Sequence, residues 1–154
     1  MTMKQQTYEH IHPGVATIQA MLRKIDRLRL PLASHRDVEN ILVRQVSKEI
    51  DRVLPWQRGH GRRTAAVSLL IGQAVGLSTD ELHNLNLAAF LHDIGLLRLP
   101  PHFMSSSDCR EPESYVAIQN HPRLGALLLE PFFFLLEASV LVVMCHEEIG
   151  RAHV

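Results

Sequence analysis

The sequence predicts an all-α fold, and three observations carry that prediction. Apolar residues recur at helical spacing along most of the chain, no segment alternates convincingly with period two, and helix starts and stops punctuate the apolar stretches. A first helix is expected over residues 15–30, where Val15, Ile18, Met21, Leu22, Ile25 and Leu28 form one stripe and Pro31 stops it. A second is expected over residues 35–54, with Val38, Ile41, Leu42, Val46, Ile50 and Val53 on one side. The third runs from about Gly59 to Val75, with Gly76 as its terminating residue. Ser78-Thr79-Asp80-Glu81 then reads as a capping box, which opens a fourth helix extending to about Asp93. Gly95 and Pro100-Pro101 end it and begin a polar loop through Pro112, followed by a short helix over residues 113–120. Pro122, at a favoured first-turn position, starts another helix. Pro131 divides that one from a last helix ending at His146, whose apolar run from Phe132 to Cys145 is expected to be buried.

Composition fits one globular domain: 154 residues, 46% hydrophobic and 21% charged. Sixteen basic and sixteen acidic residues cancel, so no global charge draws the chain to a nucleic acid polymer or an anionic membrane. A phosphate-bearing ligand must then be drawn by a local site. Cys109 and Cys145 are too few for a disulfide framework and suit a reducing cytoplasm. The most apolar stretch is interrupted by Glu137 and falls short of the ~20 residues that span a bilayer. No signal peptide is apparent, and a cytoplasmic location without membrane insertion is the expectation.

Chemistry concentrates at His92-Asp93-Ile94-Gly95. Imidazole nitrogen and carboxylate oxygen on neighbouring residues bind one cation, and the second carboxylate oxygen is free to bridge to another. A buried His-Asp pair also serves as a hydrogen-bonded core element, so the dipeptide alone does not decide. Three further histidines carry local patterns of their own. His60 opens a His-x-x-Arg pair with Arg63, which a helix places on one face. His121 opens His-Pro-Arg-Leu-Gly, and His146 closes the last apolar run in Met-Cys-His-Glu-Glu.

The order of these motifs, with Gly76-Leu77-Ser78 before the fourth helix and Leu99-Pro100 after the His-Asp pair, resembles the HD superfamily, specifically its HD-GYP branch, over residues 55–147. The resemblance implies an HD-domain-like helical bundle with two divalent metal ions, iron or manganese. It implies hydrolysis of the bacterial messenger cyclic di-GMP by a metal-bridging hydroxide. It makes His60, His92 and Asp93 ligands of one metal, with Asp93 the catalytic carboxylate that bridges to a second metal held by His121 and His146. Arg63 and Arg123 are candidates to face the phosphate or orient ligands, and equally candidates for structural ion pairs. The implied partners are the cyclic dinucleotide, a second copy in a homodimer, or a missing sensory or receiver domain.

Departures from the family pattern fall where chemistry is expected. Leu96 stands in place of a lysine, Cys145 replaces the first histidine of a His-His-Glu sequence, and Met104-Ser105-Ser106-Ser107-Asp108 lacks the family's loop lysine. The chain also stops before the family's Asp-Gly-x-Gly-Tyr-Pro, which predicts C-terminal truncation. Residues 148–154 are expected to be a non-native tail, since they back-translate to a string resembling a sequencing adapter. Residues 1–54 are expected to be a helical lead or linker. The departures keep two alternatives open: a degenerate, non-catalytic signalling module, and another HD-type phosphohydrolase acting on nucleoside phosphates. His10, His12, His35, His83, His102 and His153 match no motif and are expected to be mostly exposed.

Overall fold

His12 and Pro13 together start the first helix: the His12 imidazole accepts from the Gly14 N–H at 3.0 Å, and proline fixes the first helical φ. The computed structural model describes residues 12–28, 32–104 and 111–146. In it α1 spans Pro13–Asp26 and buries Val15, Ile18, Leu22 and Ile25. Leu28 lies beyond its end and is exposed, which shortens the expected stripe by one residue. α2 spans Leu32–Val53. Its inward stripe is Val43, Val46 and Ile50, while Ile41 is 57% exposed, so the expected register is rotated and Val43 takes the place given to Ile41.

α3 spans His60–Ala74 and α4 spans Thr79–Leu91. The expected capping box is present, with the Ser78 N–H donating to Glu81 Oε2 at 2.8 Å and the Glu81 N–H donating to Ser78 Oγ at 3.3 Å. α4 is the central element, packed against α2, α3 and α7 (Leu136–Met144). That position explains why Leu87, Ala88, Ala89, Phe90 and Leu91 are all buried in succession, since a helix covered on several sides has no polar face to keep. The turn after α4, over Ile94–Arg98, packs on α6 (His121–Leu129), and α5 (Pro112–Gln119) precedes it. α1 and α2 share this core, and the His12 N–H donates to the Leu97 carbonyl. No strand occurs among the described residues.

Two expectations are corrected. The run from Phe132 to Cys145 is not a fully buried helix. A short turn at Phe133–Leu135 precedes α7, whose inward face is only Ala138, Ser139 and Val142. Because α7 lies at the edge of the bundle on α4 and α6, Phe133, Val140 and Met144 are left 83%, 58% and 56% exposed. His83 is not a surface histidine either. Its Nε2 lies 2.8 Å from Glu39 Oε2 on α2, with both side chains largely covered, because a polar pair satisfied across two helices can be buried at low cost. Cys109, Glu147, His10, His153, the serine loop 105–108 and the expected tail 148–154 lie outside the described residues.

Candidate metal centre

Each candidate ligand is held by local backbone chemistry. On α2 the Asp51 carboxylate accepts from the Gly59 N–H at 2.9 Å, and Gly59 itself has φ of 73°, a left-handed conformation that favours glycine. This turn makes His60 the first residue of α3. Gly61 lets α3 lie close on α4, since a Cβ there would sit 3.0 Å from the Phe90 carbonyl oxygen and 3.0 Å from Ser47 Oγ. The His60 and His92 Nε2 atoms are consequently 3.1 Å apart.

His92 follows the last turn of α4, and its Nδ1 lies 3.0 Å from the Ala89 carbonyl. A carbonyl only accepts, so Nδ1 carries the proton and Nε2 is left to face Asp93 Oδ2 at 3.1 Å. His121 repeats the device at the start of α6. Its Nδ1 is 2.6 Å from the Ile118 carbonyl, and its Nε2 is 3.3 Å from Asp93 Oδ1. Metal-binding histidines are oriented by this kind of second hydrogen bond. Gly95 allows the approach of α6: a Cβ there would fall 1.9 Å from the His121 carbonyl oxygen and 2.5 Å from the Gly125 nitrogen. His146, just past α7, brings its ring centroid to 5.0 Å from that of His121.

Two groups of ligand atoms result, each within 4.8 Å: His60, His92 and Asp93, and His121, Cys145 and His146. Asp93 connects them, with Oδ2 3.5 Å from His60 Nε2 and 3.1 Å from His92 Nε2, while Oδ1 turns to His121. Residues 44–150 match the HD domain as a protein family. The chain belongs to the HD-domain family. No curated protein and no solved structure matches it. HD domains bind divalent metals, and family membership suggests a metal-dependent phosphohydrolase.

The residues of this HD domain fit such ions on physical grounds. Asp93 Oδ2 and His121 Nε2 are buried without a hydrogen-bond partner, and the Nε2 atoms of His92 and His121 converge on the Asp93 carboxylate. Lone pairs gathered this way are costly unless a cation or proton lies between them. Burial alone would raise the Asp93 pKa, but the His121 and His92 contacts outweigh it and hold the carboxyl well below the usual range. Burial likewise opposes a charged His92, yet the Asp93 contact prevails and raises its pKa above 6.5. Burial and the nearby His121 lower the pKa of His146. Partial burial of the Cys145 sulfur, and after it the negative charge of Asp93, push its thiol up to about 11.

The signs give a pH prediction. In the metal-free HD domain, the raised His92 contributes stability that is full below 6.5 and is lost as pH rises through its folded-state value. Asp93 contributes stability that is present above the ordinary 3.8 and is lost as pH falls through its depressed value. Because a proton on His92 Nε2 competes with a cation, metal affinity should rise as pH increases from about 6 to 8. Isothermal titration across that window checks this, and an affinity flat with pH would contradict it.

The five expected ligands His60, His92, Asp93, His121 and His146 thus come together. Arg63 and Arg123 do not join them. Arg63 donates from Nη1 to the Arg58 carbonyl at 3.1 Å and lines a separate cleft with Arg44, Lys48 and Arg62. Arg123 points from α6 into solvent. The cleft beside the histidines has a volume of about 510 Å³, with Thr64 and Ser68 on one side and Leu85, Leu141 and Met144 on others. Thr64, Ser68 and the positioning residue Asp51 had no sequence signal, because their relevance depends on how α2, α3 and α4 pack.

Proposed function

We propose that this HD domain is a phosphodiesterase of the HD-GYP type, hydrolysing cyclic di-GMP with two divalent cations, iron or manganese. The observation that carries this reading is Asp93, whose two oxygens each face a different group of nitrogen ligands. When bound, the paired cations lower the pKa of a water towards neutrality and neutralise charge on the phosphate. Asp93 sets the spacing of the two groups. The Ala89 and Ile118 carbonyls keep His92 and His121 presenting Nε2 rather than Nδ1. The adjacent cleft offers apolar walls suited to a purine face and the Thr64 and Ser68 hydroxyls for hydrogen bonds. The messenger implies a bacterial cytoplasm.

Chromatography of products after incubation with manganese or ferrous iron tests this. Linear dinucleotide or GMP formed from cyclic di-GMP is the expected result, and turnover of nucleoside triphosphates alone would favour the other HD phosphohydrolase activity instead. One observation favours a second reading, a non-catalytic module that binds nucleotide or a protein partner. No Lys or Arg is among the described residues that line the cleft, and Leu96 is buried in the core at 6% exposure, so it offers no cation for a phosphate. Metal binding without turnover of any of these substrates would select that reading.

A further inference from the structure

We propose that Cys145 is a metal ligand, so that the His121 side of the centre is a thiolate-bearing subsite selecting a thiophilic ion such as zinc or ferrous iron. This rests on the two-metal reading above and deepens it. Three ligand atoms, from His121, Cys145 and His146, lie within 4.8 Å of one another, a spread that one ion with bonds of about 2.0 to 2.3 Å can draw together. A second observation is independent of the cysteine. His121 is only 5% exposed, its Nδ1 is engaged with the Ile118 carbonyl, and its buried Nε2 has no hydrogen-bond partner and is aimed into the group.

Asp93 Oδ1 lies 3.3 Å from that nitrogen, beside this set but outside the group of three atoms that lie within 4.8 Å of one another. Two imidazoles and a thiolate form a three-donor set that suits zinc and leaves a position for the water that the two-metal reading requires. The thiol is placed for the role, since Cys145 is free, follows the last residue of α7 and lines the histidine cleft with His146. The His60, His92 and Asp93 group has only nitrogen and oxygen donors and lacks this soft character. Thiolate donors favour zinc and other soft ions over magnesium or manganese, so the two subsites should differ in metal preference.

Cobalt titration of the whole chain tests this by absorbance. Wild type and Cys109→Ser should each bind two cobalt ions and show a near-ultraviolet thiolate-to-cobalt charge-transfer band. Cys145→Ser should lose the band and keep one tightly bound ion. Its second ion should weaken by about 100-fold or more, since losing even an outer-shell partner typically costs 10–100-fold. Cys145→His should restore two-ion binding without the band, and circular dichroism establishes that each variant is folded. Two ions bound in wild type without the band, or a band that survives in Cys145→Ser, would overturn the ligand role while leaving the two-metal reading intact. No cobalt bound to folded wild type would overturn both.

Discussion

Asp93→Ala is expected to abolish the thermal stabilisation that divalent cations give the wild-type chain. Its two oxygens are the only ones among the described residues that face both nitrogen groups, so removing them takes a donor from each subsite at once. A ligand at 100 times its dissociation constant stabilises the folded state by about 2.7 kcal/mol. For a chain of this size that corresponds to a rise of roughly 5–10 °C in melting temperature. Wild type should show a rise of this order with saturating zinc or manganese, and Asp93→Ala should show almost none. Asp93→Asn keeps the volume but not the charge, and should behave like the alanine variant. Without metal, Asp93→Ala should also melt somewhat lower near neutral pH, because it removes the carboxylate whose contact raises the His92 pKa. Equal metal-induced shifts in all three proteins would show that the cations bind elsewhere.

Gly95→Ala is expected to be severely destabilising and to remove metal binding at the His121 side. The added Cβ would lie 1.9 Å from the His121 carbonyl oxygen and 2.5 Å from the Gly125 nitrogen, both backbone atoms that no rotamer change can move aside. Either α6 shifts bodily or the Ile94–Arg98 turn rearranges, and both separate His121 from Asp93. Overpacking typically costs 1–3 kcal/mol, and a backbone collision should reach about 3 kcal/mol or more. Gly76→Ala is the useful contrast. Gly76 has φ of 81° but open space around it, so its cost should be confined to left-handed strain of about 1–2 kcal/mol with metal binding retained. Denaturant midpoints and metal titrations of the two variants read the difference, and a Gly95→Ala chain as stable as wild type would contradict the packing described for α6.

Much of the fold was legible because local signals and packing agree. The Ser78 to Glu81 box, Gly76 and the prolines mark helix ends through bonds made within a few residues, and those boundaries appear within a few positions. What failed depended on neighbours distant in sequence. Ile41 and Val43 are both β-branched and apolar, and it is the packing of α1 and α4 on α2 that decides which turns inward. The apolar run ending at Cys145 reads as core, yet an edge position leaves one side of α7 uncovered. The His83 pairing needs Glu39 from another helix, which spacing along one helix does not reveal.

The site shows the same division. The order of His60, His92-Asp93, His121 and His146 identified residues that the structure gathers, because each motif carries its own helix-end geometry. Arg63 shared a helix face with His60 in the His-x-x-Arg pattern, but its side chain turns to the Arg58 carbonyl and away from the cleft. The orienting carbonyls of Ala89 and Ile118 are backbone groups, invisible to any residue-type pattern. Gly95 stood out in sequence as a helix terminator, whereas its larger role is to admit the backbone of α6.

Metal content of the purified, folded chain tests the central claim most directly. Plasma mass spectrometry after expression with added iron, manganese and zinc, on wild type beside Asp93→Ala, measures it. About two ions per wild-type chain, falling close to zero in the variant, is the predicted result. A folded wild-type chain that carries no ion would contradict the metal centre, and with it the phosphodiesterase activity proposed for it.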